Sequence, residues 1–388
     1  MTQKTTKPTN KKLRQTILDI RNKTYPYKNK QLKKIDFTKY NLAQINEITD
    51  VLQSIRNIVD LADQRIQQRD PPQKGPGRPK APPKDVVKVQ LLETYFGISD
   101  RVAEGFFNLF REKLGISSEF CYKTIERGYD PERSDELVEE ILKITNEIGN
   151  AHETKFSIDG TGDPCTSKVN YESKRSQQRA KKQTKSNNKP VENTNKPIDN
   201  RGDNKAGGVD CFAGRRHDFQ YCVFTVGVTT KIIGGFATSD DHHRGELSFF
   251  QEVVEQTVAN CPCFDVLLGD GLYANRVVCG LLEQQELTAY FLPRSNVTFK
   301  SRGVALWKRM LYGLVLNPQL WLESYHDRSI SESANSMLKR REPAKIRKKL
   351  SPRKGVAEAF KVLVHNIRQI CYLKYLNPQM LNTEIYVK

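Results

Sequence analysis

Apolar residues recur at helical steps through the first part of the chain. Ile45, Ile48, Leu52, Ile55, Val59, Ala62 and Ile66 alternate three- and four-residue spacings, which predicts one long amphipathic helix over 41–69. Such a stripe serves either to zip two subunits together or to pack on the helix's own domain. Helical spacing resumes from Val86 to Tyr95, Asp100 to Leu114, around Cys121 to Arg127 and from Pro131 to Ile148, with Gly97-Ile-Ser and Gly115-Ile-Ser-Ser turns between the first three. Asp130 is placed to cap the fourth helix and Pro131 to open it. Short helices on tight turns fit a small all-α, helix-turn-helix-like DNA-binding domain over 86–150, a pattern that non-binding helical domains share.

The pattern then shortens to strands. Lys155-Phe-Ser-Ile runs into Asp159-Gly, and Phe264 to Gly269 runs into Asp270-Gly. Between them, 221–228 and 232–238 read as two strands joined by a Thr-Thr-Lys turn. On this reading Asp159 closes its strand and Asp163 falls in the Gly-rich turn beyond it. Helical spacing covers Glu246 to Ala259, about Asn275 to Gln285, and Val356 to about Leu373, with a strand from Thr288 to Pro293. His242 and His243, with Asp240, Asp241 and Glu246 nearby, read as a helix-capping loop, because carboxylates gather at helix N-termini. The whole of 151–375 is therefore expected to be a mixed α/β domain.

Other stretches lack any such pattern. Residues 1–40 are rich in Lys, Thr, Asn and Gln and predict a basic, partly disordered arm. The Pro- and Gly-rich stretch 70–85 predicts an extended basic linker. Its Gly77-Arg78-Pro79 core resembles an AT-hook, which would lay Arg78 into a DNA minor groove, although Pro76 stands where an Arg usually precedes the Gly. Residues 168–208 predict a flexible basic insertion, and 376–388 a tail.

Charge changes the picture from a fold to a partner. The 388 residues carry 63 Lys and Arg against 45 Asp and Glu, a formal net charge of +18. A polyanion is the natural ligand, and no apolar run approaches the roughly 20 residues of a membrane span. The charged start has no apolar signal core, so a cytoplasmic, nucleoid-associated protein is expected. Eight scattered cysteines, with Cys261-Pro-Cys263 the only close pair, are expected to be reduced and mostly buried.

Candidate chemistry centres on Tyr325 to Lys339, which has no Gly or Pro and reads as one helix. At 100° per residue, Arg328, Glu332 and Lys339 fall roughly 300°, 340° and 320° round from Tyr325, on one face. One carboxylate among a phenol, a guanidinium and an ammonium suits a metal ion held beside a phosphate backbone. A surface helix with an ordinary Arg-Glu pair is the alternative. The spacing Tyr-x2-Arg-x3-Glu-x6-Lys resembles the signature helix of insertion-sequence DDE transposases with a Tyr-Arg-Glu-Lys motif. Asp159 and Asp270, each followed by Gly, match that family's upstream aspartates, and Tyr273 matches the residue that usually accompanies the second.

The resemblance covers roughly 156–373 and implies a ribonuclease-H-like mixed sheet flanked by helices. It implies Asp159, Asp270 and Glu332 as catalytic ligands of two Mg2+ ions, or Mn2+, with Tyr325, Arg328 and Lys339 gripping phosphates. Arg340, Arg341, Lys345, Arg347, Lys348 and Lys349 extend the basic run and are expected on DNA as well. The partners implied are double-stranded DNA, both element terminal repeats and target, and a second copy of the chain on that DNA. A catalytically idle DNA-binding descendant, or another ribonuclease-H-like nuclease, is the alternative.

Overall fold

The computed structural model describes residues 8–28, 36–71, 81–116, 118–165, 219–241, 244–341, 345–382 and 385. The basic insertion, most of the Pro-rich linker with Arg78, and the His242-His243 pair lie outside the described residues.

A five-stranded mixed sheet organises the second half. β1 (Lys155–Pro164) pairs antiparallel with β2 (Phe219–Gly227), which pairs antiparallel with β3 (Ile233–Ser239). On its other side β1 pairs in parallel with β4 (Val266–Gly269), and β4 in parallel with β5 (Thr288–Phe291), giving the order β3-β2-β1-β4-β5. β1 alternates across this sheet. Phe156 and Ile158 enter one apolar cluster, while Ser157, Asp159 and Thr161 pair with Val226, Phe224 and Cys222, which belong to the other.

β1 is longer than its apolar start predicts. The ladder with β2 continues through Gly160 and Gly162 to Pro164, so Asp159 lies within the strand and Asp163 is paired with Gln220 instead of sitting in a turn. Asp163 is buried and bonded to Lys361. An ion pair formed across about 200 residues draws the chain on as a strand where local sequence favours a turn.

Helices α1 (Asn10–Arg21), α2 (Phe37–Arg69), α3 (Pro83–Phe96), α4 (Asp100–Leu114), α5 (Tyr122–Gly128) and α6 (Pro131–Gly149) precede the sheet. α3 and α4 end at left-handed glycines, Gly97 at φ 64° and Gly115 at φ 65°, which terminates each helix without the penalty a Cβ would bring. α2 buries Leu52, Ile55, Val59 and Ala62 of its stripe against its own chain, but leaves Ile45 80% and Ile48 50% exposed. Helices α2 to α6 share one apolar cluster with β2, β3 and the final helix.

α1 departs from the expected arm over 10–21. Thr9 accepts from the Lys12 N–H to cap it, and Leu13 and Ile17 are fully buried in the cluster on the far face of the sheet. Apolar positions four apart on one face supply a docking surface that the surrounding Lys and Asn hide in composition.

After β3 come a 3-10 turn (Glu246–Phe249) and α7 (Phe250–Asn260), then α8 (Arg276–Gln284), α9 (Ala305–Leu316) and α10 (Pro318–Tyr325). The pair α9 and α10 has no counterpart among the sequence expectations. The stretch read as one helix from Tyr325 is broken: α10 ends at Tyr325, a 3-10 turn covers His326–Arg328, and α11 spans Ser329–Arg341. α12 (Ser351–Leu376) packs on α2, α3, α6 and β3. No described helix is long and apolar enough to cross a membrane, and the seven described cysteines are free.

Candidate active site

Asp159 and Asp270 come together through strand register. Lys155, Phe156 and Ser157 lie beside Val266, Leu267 and Leu268; that parallel register, carried two residues past the paired ones, points Asp159 toward Asp270, whose charge acts on it. Neighbouring strands are about 4.8 Å apart, so the two carboxylates share one end of the β1/β4 pair. The Asp270 Oδ1 accepts from the Leu272 N–H at 2.7 Å, which turns the chain sharply out of β4.

The broken signature stretch is seated over Asp159. Ser157, on the same face of β1, donates its hydroxyl to the Arg328 carbonyl at 3.0 Å. Nearly two turns into α11, the Asn335 amide donates to the Asp159 Oδ2 at 2.9 Å, while Oδ1 accepts from the Gly160 N–H at 2.9 Å. The break at His326–Arg328 therefore re-aims α11 so that Asn335 reaches the aspartate. Burial first, then the charges of Asp270 and Glu332, hold the Asp159 carboxyl above the usual range, and its Gly160 hydrogen bond and Arg328 oppose them.

Glu332 is turned to Arg328, whose Nη1 donates to its Oε1 at 3.0 Å; the Glu332 side chain is 61% exposed. Arg328 in turn lies 5.4 Å over the Tyr325 ring, and that ring stacks on Trp321 at 5.0 Å. Tyr27 stacks on His326 at 4.5 Å, and Arg21 donates through Nη2 to the Pro293 carbonyl at 2.9 Å, just after β5. The N-terminal segment thus braces the turn that carries Arg328. Sequence reading missed this because Tyr27 and His326 are about 300 residues apart.

Glu246 is a further acid that the sequence disguised as a helix cap. Its Oε1 lies so close to Gly160 that a Cβ there would collide with it. Burial, then Asp159 and Asp270, push its carboxyl up to about 7, against the Tyr221 hydroxyl and the Gly160 N–H. The signal that could have found it is the Gly after Asp159, a residue whose missing side chain admits another group.

The basic run divides. Lys339, Arg340, Arg347 and Lys349 are exposed. Lys348 is not available to phosphate: it is buried, bonded to Glu93 at 3.1 Å and to Asp100, and sits 3.6 Å over the Tyr129 ring. Arg341 is half-buried over Tyr372 and donates to the Tyr40 hydroxyl at 3.4 Å. Lys345 is half-buried. These side chains correct the expectation of a uniform DNA-facing stripe, because a charge run says nothing of the Glu93 and Asp100 waiting elsewhere in the chain.

The donors suit a hard divalent cation in kind: all are carboxylate oxygens, and after burial the charges of Asp270 and Glu332 help raise the Asp159 carboxyl. The Tyr273 hydroxyl is buried beside them with no hydrogen-bond partner. As placed, no three His, Cys, Asp or Glu side chains among the described residues cage an ion: Glu332 is held by Arg328 and Asp159 by Asn335.

Against known proteins, the chain is 26% identical over 299 residues to a protein of Archaeoglobus fulgidus described as a probable transposase for insertion sequence element ISA1214. The match covers 76% of this chain and 77% of that relative. No family model and no solved structure matches the chain.

Proposed function

We propose that this chain is a DNA transposase of an insertion sequence, cutting at element ends and joining the freed 3′-hydroxyl into target DNA by in-line phosphoryl transfer. The observation that carries the reading is the approach of Asp159 and Asp270 at one strand end, beneath the turn that carries Arg328 and the helix that carries Glu332. The strand order, three antiparallel then two parallel additions, is compatible with a ribonuclease-H-like core, and the similarity to a probable transposase supports the same class.

Asp159, Asp270 and Glu332 would hold Mg2+ or Mn2+. When bound, such ions supply Lewis acidity that makes a water or 3′-hydroxyl nucleophilic at neutral pH and neutralises charge on the leaving oxygen. Asn335 and the Gly160 N–H hold the Asp159 carboxylate in a fixed orientation. An exposed Arg-Glu pair contributes at most about 1 kcal/mol, so a DNA phosphate competes well for Arg328 and releases Glu332 toward Asp159. Tyr325, wedged on Trp321, keeps the guanidinium over the site during that exchange. Lys339, two turns beyond Glu332 on α11, is exposed to take a further phosphate. Because two element ends must be paired, a homodimer on DNA follows from the same reading.

The test is incubation of purified protein with DNA bearing the terminal inverted repeats that flank its gene. Nicking at the repeat ends in Mg2+, absent in EDTA, is the expected result; cutting that survives chelation would remove metal-dependent transfer.

A further inference from the structure

Resting on that reading, we propose that Glu246 is a fourth acidic ligand of the same site, approaching the Asp159-Asp270 pair from the sheet face opposite Glu332. Two placements argue for it. Asn335 and Arg328 come from α11 and the turn before it, over the β1 face that carries Ser157 and Asp159. Glu246 leads into α7, whose Phe250, Val253 and Val254 pack with Phe156 and Ile158 on the other face. Its carboxylate oxygen lies directly against Gly160, the residue after Asp159. The two aspartates are therefore flanked by a glutamate on each side.

A capping role does not account for this position. The 3-10 turn that begins at Glu246 is only four residues long, and the Glu246 Oε1 lies against Gly160 of β1. Instead of turning back along its own turn, the side chain reaches across the gap that Gly160 leaves.

An independent observation points to a ligand in the same space. Tyr273 is 1% exposed, yet among the described residues its hydroxyl has no hydrogen-bond partner. Beside burial, Glu246, Asp159, Asp270 and Tyr221 act on it electrostatically. An unmet buried donor is costly, and one that lies within the field of these acids can donate to an oxygen brought in with a cation, a water or a phosphate.

The experiment is Mn2+ titration of the full chain without DNA, followed by calorimetry and by the electron paramagnetic resonance signal of free Mn2+. Wild type, Glu246→Gln, Glu246→Asp and Asp159→Asn are compared, with circular dichroism melts to confirm that each folds. Glu246→Gln is expected to lose one bound ion or weaken binding at least tenfold, as does Asp159→Asn, with Glu246→Asp between Gln and wild type. Wild-type Mn2+ stoichiometry and affinity in Glu246→Gln, with binding lost in Asp159→Asn, would overturn the fourth ligand and leave the transposase reading intact. Unchanged binding in Asp159→Asn as well would overturn both.

Discussion

Glu358 is fully buried on α12, and neither of its carboxylate oxygens accepts a hydrogen bond. Around it stand Lys361 at 3.7 Å on the same helix, with Asp163 from β1 bonded to that lysine, and Lys339 from α11. Burial pushes its carboxyl up to about 8 from an ordinary 4.5, and Lys339 only partly opposes this. The folded state thus keeps a proton that the unfolded chain gives up. Its contribution to stability is whole below pH 4.5 and is lost progressively as pH rises to about 8, on the order of a few kcal/mol in all. Glu358→Gln is expected to flatten the fall in melting temperature across that window; a parallel pair of curves would contradict it. Part of the slope should persist, since Glu93 and Glu246 are also pushed up to about 7. At this scale the sequence was readable where a residue carries its own context. Asp159 and Asp270 each end an apolar run before a Gly, and Glu332 sits at a fixed spacing from Tyr325 and Arg328. Glu246 and Lys348 were not readable, because each resembles its neighbours until Gly160, or Glu93 with Asp100, is brought up from far away in the chain.

Among the elements, helix α1 and the break before α11 differ most from what periodicity predicts. Both have tertiary causes. α1 is short and sits in polar sequence, so its two buried apolar residues gain meaning only against the sheet's far face. The break has no Gly or Pro to announce it; the Ser157 bond to the Arg328 carbonyl and the Tyr27 stack on His326 hold it. Long strongly patterned elements such as α2, α6 and α12 were legible to within a few residues, because their burial follows their own period. Leu13→Ala is expected to cost about 2 to 5 kcal/mol in urea unfolding. Tyr27→Ala should instead leave global stability nearly intact and reduce DNA cleavage, by loosening the turn that carries Arg328. Equal losses of stability in the two variants would show that the N-terminal segment does no more than pack.

For the molecule as a whole, the net charge of +18 overstates the surface available to DNA, since part of the basic run closes internal ion pairs. Each of Lys339, Arg340, Arg347 and Lys349, changed to Ala, should reduce the slope of log affinity against log salt by about 0.9 if it neutralises one phosphate. Lys348→Ala should leave that slope alone and cost about 3 to 5 kcal/mol of stability, the penalty for stranding buried Glu93 beside Asp100. The shared core also governs how function can be dissected. Removing 1–150 would strip α1 from one face of the sheet and α2 to α6 from the other, so point substitutions, not truncation, separate DNA recognition from chemistry. The central claim is that acids from β1, β4 and α11 act as one metal-dependent site. It is tested most directly by single-turnover nicking of terminal-repeat DNA in Mg2+ by Glu332→Gln beside wild type, with binding measured on the same DNA. The account predicts that cleavage disappears while binding and folding are kept; wild-type cleavage by the variant would contradict it.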